Sequence, residues 1–254
     1  MSVWICDVGN TRIKLAEFAS NANPQSDPVR VMAWPIHEAL DDGSGLDQMV
    51  GSMPNILVTG SGDMEPWIQR WPQSLAWTNG MDSPLRTMVK SGLGTDRAAN
   101  AFAVQANCIP DVLPTESWLI VDAGTCVTFD LWHEEKHHGG AIAPGGSMRL
   151  TSMNSGTARL PEVSPSSIPP QGGLGTTTVE AMLGGAWHGI EAEIRGKWLG
   201  LRQNVPNLGL LLTGGDASRL GLRDISPKFA DAHLTLKGYH ALFRHLQDLP
   251  SSHD

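Results

Sequence analysis

The sequence predicts an α/β protein made of two duplicated domains, each with a mixed sheet flanked by helices. Two stretches, 3–14 and 118–129, share one plan: an apolar run ends in an acid, a turn with a glycine follows, and a strand-like run returns. In both halves, alternating helix-like and strand-like segments come next. The repeat spacing of about 115 residues fits a domain and is too long for a solenoid. We therefore expect domains at 1–114 and 115–254, with a ligand-binding cleft between them.

The patterns of the first half predict its elements in order. Short apolar or alternating runs bounded by Asn, Pro, Ser and Gly indicate strands, and longer runs with helical spacing indicate helices. They predict strands at 3–7, 12–19 and 29–33, an interrupted helix at 36–50, a strand at 55–59, a helix at 65–71, a strand at 74–78 and a buried helix at 96–106. Pro66 suits the first turn of the second of these helices. Pro110 and Pro114 mark the linker to the second half.

The second half follows the same logic. It predicts strands at 118–122 and 126–132, a polar turn at 133–138, a strand at 139–143, a helix at 148–159, a loop at 162–175, a long helix at 176–198, a strand at 208–212 and an amphipathic helix at 234–249. The loop is assigned from its Pro, Ser and Gly content.

Composition limits the class of protein. The 254 residues are 41% hydrophobic and 17% charged, as in ordinary globular proteins. A net charge of −8 argues against electrostatic binding to nucleic acid or to an anionic membrane, so we expect neither as a partner. The three cysteines are odd in number and lack metal-binding spacing. The sequence shows no basic segment followed by a long apolar one and no run of about 18 apolar residues, so we expect neither export nor a membrane span. We expect a cytoplasmic protein with reduced thiols.

The first hairpin carries the earliest sign of chemistry. Gly9 and Asn10 can adopt positive φ, which predicts a tight primed turn whose consecutive N–H groups form an anion site. Asp7 ends the preceding strand, where its carboxylate could bind a divalent cation or order a water. These features point to nucleotide chemistry, although a structural hairpin with a solvated Asp fits nearly as well. Asp122 and Gly124 repeat the arrangement in the second half.

Three further motifs have a chemical and a structural interpretation. The run Gly94-Thr95-Asp96-Arg97 places a carboxylate and a guanidinium at a helix start. The carboxylate can orient a substrate hydroxyl or accept its proton, and the guanidinium can pair with a substrate carboxylate. Alternatively, Asp96 simply caps the helix and Arg97 is solvated. The run Thr213-Gly214-Gly215-Asp216 fits either a nucleotide-binding turn or a plain connection. The histidines at 133, 137 and 138 could bind a metal, but a solvated turn is the favoured interpretation.

Together these motifs resemble the type III pantothenate kinases, a branch of the superfamily of acetate kinase, sugar kinases and actin. The resemblance covers nearly the whole chain and rests on motifs that occur in the family's order. They are Asp7-Val8-Gly9-Asn10-Thr11, Gly94-Thr95-Asp96-Arg97, Asp122-Ala123-Gly124-Thr125, Gly139-Gly140-Ala141-Ile142-Ala143-Pro144-Gly145, Thr157-Ala158-Arg159-Leu160-Pro161, and Thr178 before Ala181-Met182. The resemblance implies two actin-like (ribonuclease H-like) domains, and ATP-dependent phosphorylation of pantothenate at the start of coenzyme A synthesis.

The resemblance also implies roles for individual residues. The ATP phosphate loop is made of Asp7, Val8, Gly9, Asn10, Thr11, Arg12, Ile13 and Lys14. Thr125 also contacts ATP, Asp7 acts on Mg²⁺ or its waters, and Asp122 binds a monovalent cation (K⁺ or NH₄⁺). Asp96 is the catalytic proton acceptor. The pantothenate site is lined by Thr87, Gly94, Thr95, Asp96, Arg97 and Thr178, and the family is generally homodimeric.

One position departs from the family pattern. The family usually carries a pantothenate-contacting Tyr seven residues before the first Gly of its G-x-D-R motif, and this chain has Thr87 there. The departure keeps open a kinase acting on another small alcohol or acid. A third hypothesis is a non-catalytic accessory factor for transcription, since some relatives are described in that way. The acidic net charge and the presence of Asp7, Asp96 and Asp122 weigh against it.

Overall fold

The computed structural model describes residues 2–41, 46 and 55–248. Its strands are β1 Val3–Val8, β2 Arg12–Phe18, β3 Arg30–Pro35, β4 Ile56–Gly60, β5 Leu75–Trp77, β6 Trp118–Ala123, β7 Cys126–His133, β8 Lys136–Pro144, β9 Gly209–Thr213 and β10 Lys228–Ala230. Its α-helices are α1 Ile36–Asp41, α2 Glu65–Arg70, α3 Thr95–Gln105, α4 Gly146–Ser155, α5 Thr178–Arg202 and α6 Leu234–Asp248. The α/β prediction is confirmed.

The two sheets are built to one plan. The first has the strand order β3-β2-β1-β4-β5, and the second, counted from the opposite edge, has the order β8-β7-β6-β9-β10. In each sheet the central strand pairs antiparallel with its hairpin partner and parallel with the next strand, β4 or β9. Both sheets are therefore mixed, and the predicted duplication of an actin-like domain is confirmed.

Contacts within the chain define two compact units. The first is made of Met1–Thr115, Glu135–His137 and His233–Asp254, and the second of Glu116–Glu134 and His138–Ala232. This division differs from the predicted one in two segments of the second half, because Glu135–His137 and α6 belong to the first unit. The helix packs against α3 and β1, and the Thr235 hydroxyl donates to Asn100 Oδ1 at 2.8 Å.

Each unit has its own apolar core. One face of β1 packs with β2, β4 and α2 through a cluster of buried side chains: Trp4, Cys6, Val8, Ile13, Leu15, Ala39, Leu46, Ile56, Val58, Trp67 and Trp71. The core of the second unit lies between its sheet and α5, whose Leu183, Trp187 and Ile194 are buried. The unusually numerous tryptophans are thus largely core residues.

Most predicted elements exist with shifted ends. Helix α4 begins before 148 because Gly145 caps it in an extended conformation, and it ends before Gly156. Helix α5 begins at Thr178, behind a capping box in which Thr177 and Glu180 accept each other's backbone N–H. Strand β10 was not expected. Much of the predicted helix at 36–50 lies outside the described residues, and α1 is its described start.

The prediction of a polar turn at 133–138 is wrong for residues 136–138, which begin a strand. Only Glu134 and Glu135 form the turn, both with positive φ (48° and 55°), as in a two-residue primed hairpin. Strand β8 therefore starts at Lys136. His137, expected in solvent, is fully buried.

A buried histidine on α6 gives the first unit a specific response to acid. The His240 ring stacks on Phe18 with centroids 4.2 Å apart, and neither ring nitrogen has a hydrogen-bond partner among the described residues. Burial, aided by the Arg244 charge, lowers the pKa of His240 from 6.5 to about 4. Between these two pH values the unfolded chain binds a proton that the folded chain does not bind. The stability from this group is thus complete above pH 6.5 and is lost as pH falls.

We expect His240→Phe to flatten part of the acid limb of the stability curve. By pH 5 the wild-type histidine should cost about 2 kcal/mol relative to pH 7, and the variant should not show this loss. Urea unfolding at both pH values measures the difference, and His37→Gln, at an exposed histidine, is the control. A constant difference in unfolding free energy between wild type and His240→Phe across this range would contradict the assignment.

Candidate active site

The loop after β1 is not the predicted primed turn. Gly9, Asn10 and Thr11 connect β1 to β2, and the Gly9 N–H donates to Arg12 O at 2.9 Å. Neither Gly9 nor Asn10 has positive φ, so the two-residue turn is wrong and a three-residue loop replaces it. Glycine is still required at position 9, because a Cβ there would lie 2.9 Å from Arg12 O.

The predicted phosphate-loop residues divide into two groups. Asn10, Thr11 and Arg12 are exposed. Val8 and Ile13 are fully buried, so only their backbone could meet a ligand. Among the described residues, the backbone N–H groups of Asn10 and Thr11 have no acceptor. Two such donors beside each other suit an anion.

A second loop, which the sequence reasoning missed, packs against the first. Gly60 ends β4 with φ +134°, and a Cβ there would lie 2.2 Å from Val8 O. The Gly62 N–H donates to the same carbonyl at 2.8 Å, and Asn10 Nδ2 donates to Ser61 Oγ at 3.5 Å. The signal for this loop was the run Gly-Ser-Gly directly after an apolar strand.

Three polar side chains stand side by side at the end of β1. Asp7 lies in register with Lys14 on β2 and with Thr59 on β4, so the three side chains share one face of the sheet. Asp7 Oδ2 is 3.9 Å from Lys14 Nζ, and the Asp7 side chain is 14% exposed. The carboxylate is thus neighboured by a cation and by a threonine, and it is accessible to a small ligand.

The start of α3 is fixed to the end of β4. Gly94 caps the helix without a side-chain bond, so Asp96 is not the N-cap and that structural alternative is wrong. The buried Thr95 hydroxyl donates to Gly60 O at 2.8 Å, and Asp96 Oδ1 accepts the Arg97 N–H at 2.8 Å. Asp96 therefore sits in the first turn, where the helix dipole favours a carboxylate.

Thr87 is engaged by internal partners. Its hydroxyl lies 2.9 Å from His137 Nδ1 and 3.3 Å from His137 O, and it accepts the Val89 N–H at 3.0 Å. The Met88 N–H donates to His137 O, and the His137 N–H donates to Arg86 O. With either tautomer of His137, these contacts use the donor and at least one acceptor site of the hydroxyl. The Thr87 hydroxyl is thus held by partners within the first unit, and its place in the pantothenate site stays a prediction.

The second unit repeats the arrangement around Asp122. Asp122 lies in register with Thr128 on β7 and Thr213 on β9, as Asp7 does with Lys14 and Thr59. Gly214 has φ +94°, and its Cβ would lie 2.2 Å from Ala123 O and 2.5 Å from Asp122 Oδ1. The Asp216 N–H donates to Ala123 O at 2.9 Å, as the Gly62 N–H does to Val8 O. The duplication thus extends to single hydrogen bonds.

The remaining predicted residues of this unit are exposed. Thr125 follows Gly124 in the β6–β7 loop, and its carbonyl accepts the Gly145 N–H at 3.1 Å. Thr178 is the first residue of α5.

Asp216, in the loop after β9, is half-buried. Burial raises the pKa of its carboxyl group, and the nearby charge of Arg219 partly offsets this rise. The loop after β9 therefore carries a carboxyl group that is partly shielded from water.

The part of the chain that the structure describes offers carboxylate oxygens to cations but no preformed metal site. Among the described residues, no group of three or more His, Cys, Asp and Glu side chains is arranged to hold a metal. Mg²⁺ in phosphoryl-transfer sites commonly takes one or two carboxylates and completes its shell with phosphates and water. Asp7, partly exposed beside the unpartnered N–H groups of Asn10 and Thr11, fits that requirement. Asp122, half-buried at the equivalent place, is the corresponding carboxylate of the second unit.

The cysteines show no sign of catalysis. None of the three forms a disulfide, and Cys6 and Cys108 are buried. Burial raises the pKa of the Cys6 thiol, and the neighbouring Asp7 charge raises it further. A raised thiol pKa suppresses the reactive thiolate.

The sequence of this chain is similar to those of known proteins. Residues 4–199 match the family described as type III pantothenate kinase. The Type III pantothenate kinase of Christiangramia forsetii is 36% identical over 147 residues, which span 58% of this chain and 58% of that protein. The one of Flavobacterium johnsoniae is 28% identical over 252 residues, or 95% of this chain and 97% of that protein.

A solved structure shows the same fold. It is a Campylobacter jejuni protein named as a Baf family transcriptional activator, with a TM-score of 0.62 and 19% identity over 97% of this chain and 100% of that one. No helix within the described ranges is long and apolar enough to cross a membrane. The family match covers well over half of the sequence, and the chain therefore belongs to the type III pantothenate kinase family.

Proposed function

We propose that this chain transfers the γ-phosphoryl group of ATP to the primary hydroxyl of pantothenate, which yields 4′-phosphopantothenate and ADP and begins coenzyme A biosynthesis. Family membership supports the reaction. The observation that carries it is the position of Asp96 in the first turn of α3, which Thr95 ties to the end of β4, the parallel neighbour of the strand β1 that carries Asp7. In this proposal the first unit supplies both an acid for the acceptor hydroxyl and an acid for the nucleotide's cation.

The loop after β1 binds the ATP phosphates in this proposal. The exposed N–H groups of Asn10 and Thr11 and the charges of Arg12 and Lys14 provide donors for an anion. Asp7 holds Mg²⁺ directly or through water. When bound, Mg²⁺ neutralises developing phosphate charge. The protein's own part is to fix the phosphates, since phosphoryl transfer depends mainly on positioning and electrostatics.

Asp96 acts as the general base. It accepts the proton of the pantothenate hydroxyl while that oxygen bonds to the γ-phosphorus and the bond to the ADP oxygen breaks. Its backbone is held by helix α3 and by the Thr95–Gly60 hydrogen bond. A base on a fixed helix start keeps its distance to the hydroxyl constant, which favours a reactive geometry.

The other residues at the acceptor site differ in how they bind or position the substrate. Arg97 pairs with the pantothenate carboxylate, and Gly94 lets substrate approach the helix start. Thr95 contributes by position, because its buried hydroxyl already donates to Gly60 O. Thr178, exposed at the start of α5, contributes a hydroxyl.

The second unit contributes to ATP and cation binding in this proposal. Asp122 holds K⁺ or NH₄⁺, and Thr125 contacts ATP. The duplicated register around Asp122 supports a charged ligand there as in the first unit. We also propose a cytoplasmic homodimer, which light scattering of the purified protein would test.

A second acceptor is favoured by one observation. The hydroxyl of Thr87 is turned to His137 and Val89, at the place where the family has a substrate-contacting Tyr. An acceptor other than pantothenate, such as another small hydroxy acid, is therefore the second candidate.

An assay of ADP release separates these proposals. Purified protein with ATP and Mg²⁺ is given pantothenate or one of a panel of small hydroxy acids and alcohols, in K⁺, NH₄⁺ or Na⁺. We expect the highest kcat/KM with pantothenate and faster turnover in K⁺ or NH₄⁺ than in Na⁺. A higher kcat/KM with another acceptor would favour the second candidate, and release independent of any acceptor would contradict both.

A further inference from the structure

Thr59 carries an unexplained polar atom inside the first unit. Its side chain is fully buried, and Oγ1 has no hydrogen-bond partner among the described residues. An unpaired buried hydroxyl destabilises the folded state, so most buried hydroxyls are paired. The buried Thr59 hydroxyl therefore lowers the stability of the folded state. A functional role of this hydroxyl would account for its presence.

The position of this hydroxyl points to its use. Thr59 is the register partner of Asp7 across the parallel β1–β4 pair, so the two side chains are neighbours on one face. On the other side Thr59 is the register partner of Trp77, whose ring contacts Tyr239 edge-on. The next residue, Gly60, accepts the Thr95 hydroxyl. Thr59 thus lies between the two carboxyl-bearing segments of the candidate site, next to Asp7.

The chemistry of the pair is complementary. A threonine hydroxyl has one donor, and an ionised carboxylate only accepts. A carboxylate has two oxygens, so one can take the hydroxyl proton while the other faces a cation. Hydrogen bonds to charged groups are stronger than neutral ones, and orienting a ligand group raises its affinity for the metal.

We propose that Thr59 is a positioning residue for Asp7, whose hydroxyl donates to the Asp7 carboxylate when the Mg²⁺-nucleotide is bound. The inference rests on the proposed function, because it assigns Asp7 to the nucleotide's cation. It adds a residue that does not itself touch substrate. It also gives the unpaired Thr59 hydroxyl a function.

The test combines stability with nucleotide binding. Thr59→Val keeps the shape and removes the hydroxyl, and Thr59→Ser keeps the hydroxyl. We expect the Tm of Thr59→Val without nucleotide to be equal to or above that of wild type. Calorimetry with ADP and Mg²⁺ should show binding about tenfold weaker for Thr59→Val, and within about threefold of wild type for Thr59→Ser.

Thr235→Val is the matched control. Its hydroxyl is paired with Asn100 on α3 and not with Asp7, so removing it should lower Tm and leave ADP binding unchanged. The proposal is overturned if Thr59→Val lowers Tm as Thr235→Val does, which would mean a paired structural hydroxyl. It is equally overturned if Thr59→Val binds Mg²⁺-ADP as tightly as wild type. Neither readout needs an acceptor, so a failure of pantothenate phosphorylation in wild type would remain a separate result.

Discussion

Asp96→Asn is expected to lower kcat for pantothenate phosphorylation by a factor of about 10² to 10⁴, the usual contribution of a general base. Asparagine has nearly the same shape and can still accept the Arg97 N–H through its carbonyl oxygen, but it cannot take the hydroxyl proton. KM for ATP should change little, because the phosphate loop is untouched. The measurement is steady-state ADP release, with the melting temperature recorded beside it.

The control for this variant is Asp111→Asn. Asp111 is exposed and has φ +62°, a conformation that asparagine adopts readily, so this change should alter neither rate nor stability. If Asp96→Asn kept wild-type turnover, another group would have to accept the proton. If it lost turnover only by unfolding, its Tm would fall together with its rate.

Gly60→Ala is expected to have the largest effect on stability, with a loss of at least about 3 kcal/mol. The added Cβ would lie 2.2 Å from Val8 O and 2.6 Å from Val8 N, and φ +134° disfavours any L side chain. The clash is with backbone in a central strand, which cannot move aside cheaply. Because Gly60 holds its loop against the loop after β1, nucleotide binding should weaken as well.

Gly92→Ala separates clash from backbone strain. Gly92 also has positive φ, +70°, but a Cβ there meets nothing within 4 Å, so alanine should cost only about 1 kcal/mol. Urea unfolding of both variants gives the comparison. Equal losses for the two changes would mean that the approach of Gly60 to Val8 is not what requires glycine at that place.

Much of this fold could be predicted from the sequence because hydrophobic patterning and turn residues act locally. The repeated Asp, Gly and strand plan around Asp7 and Asp122 predicted two matching sheets, and the sheets have matching strand orders. The small residues at 98–104 predicted a buried helix, which is α3. Hydrophobic patterning does not determine where a helix begins and ends, so the predicted ends of α4 and α5 differ from the observed ends by two to four residues.

What could not be predicted depends on contacts between distant parts of the chain. Gly9 is needed for a close approach to Arg12 O, yet the same residue type suggested positive φ. No local pattern shows that His137 is buried beside Thr87, or that α6 joins the first unit. From the sequence alone, Thr59 is an ordinary strand residue, and nothing indicates that its hydroxyl has no hydrogen-bond partner in the described part of the chain. Its position beside Asp7 emerges only from the register of two strands about 50 residues apart.

The central claim is tested most directly by identifying the product. Purified protein is incubated with ATP, Mg²⁺, K⁺ and pantothenate, and the mixture is analysed by mass spectrometry while ADP is quantified. The account predicts 4′-phosphopantothenate in a one-to-one ratio with ADP, and its loss in Asp96→Asn. A folded protein that forms no phosphopantothenate, under conditions in which a known pantothenate kinase forms it, would contradict the account.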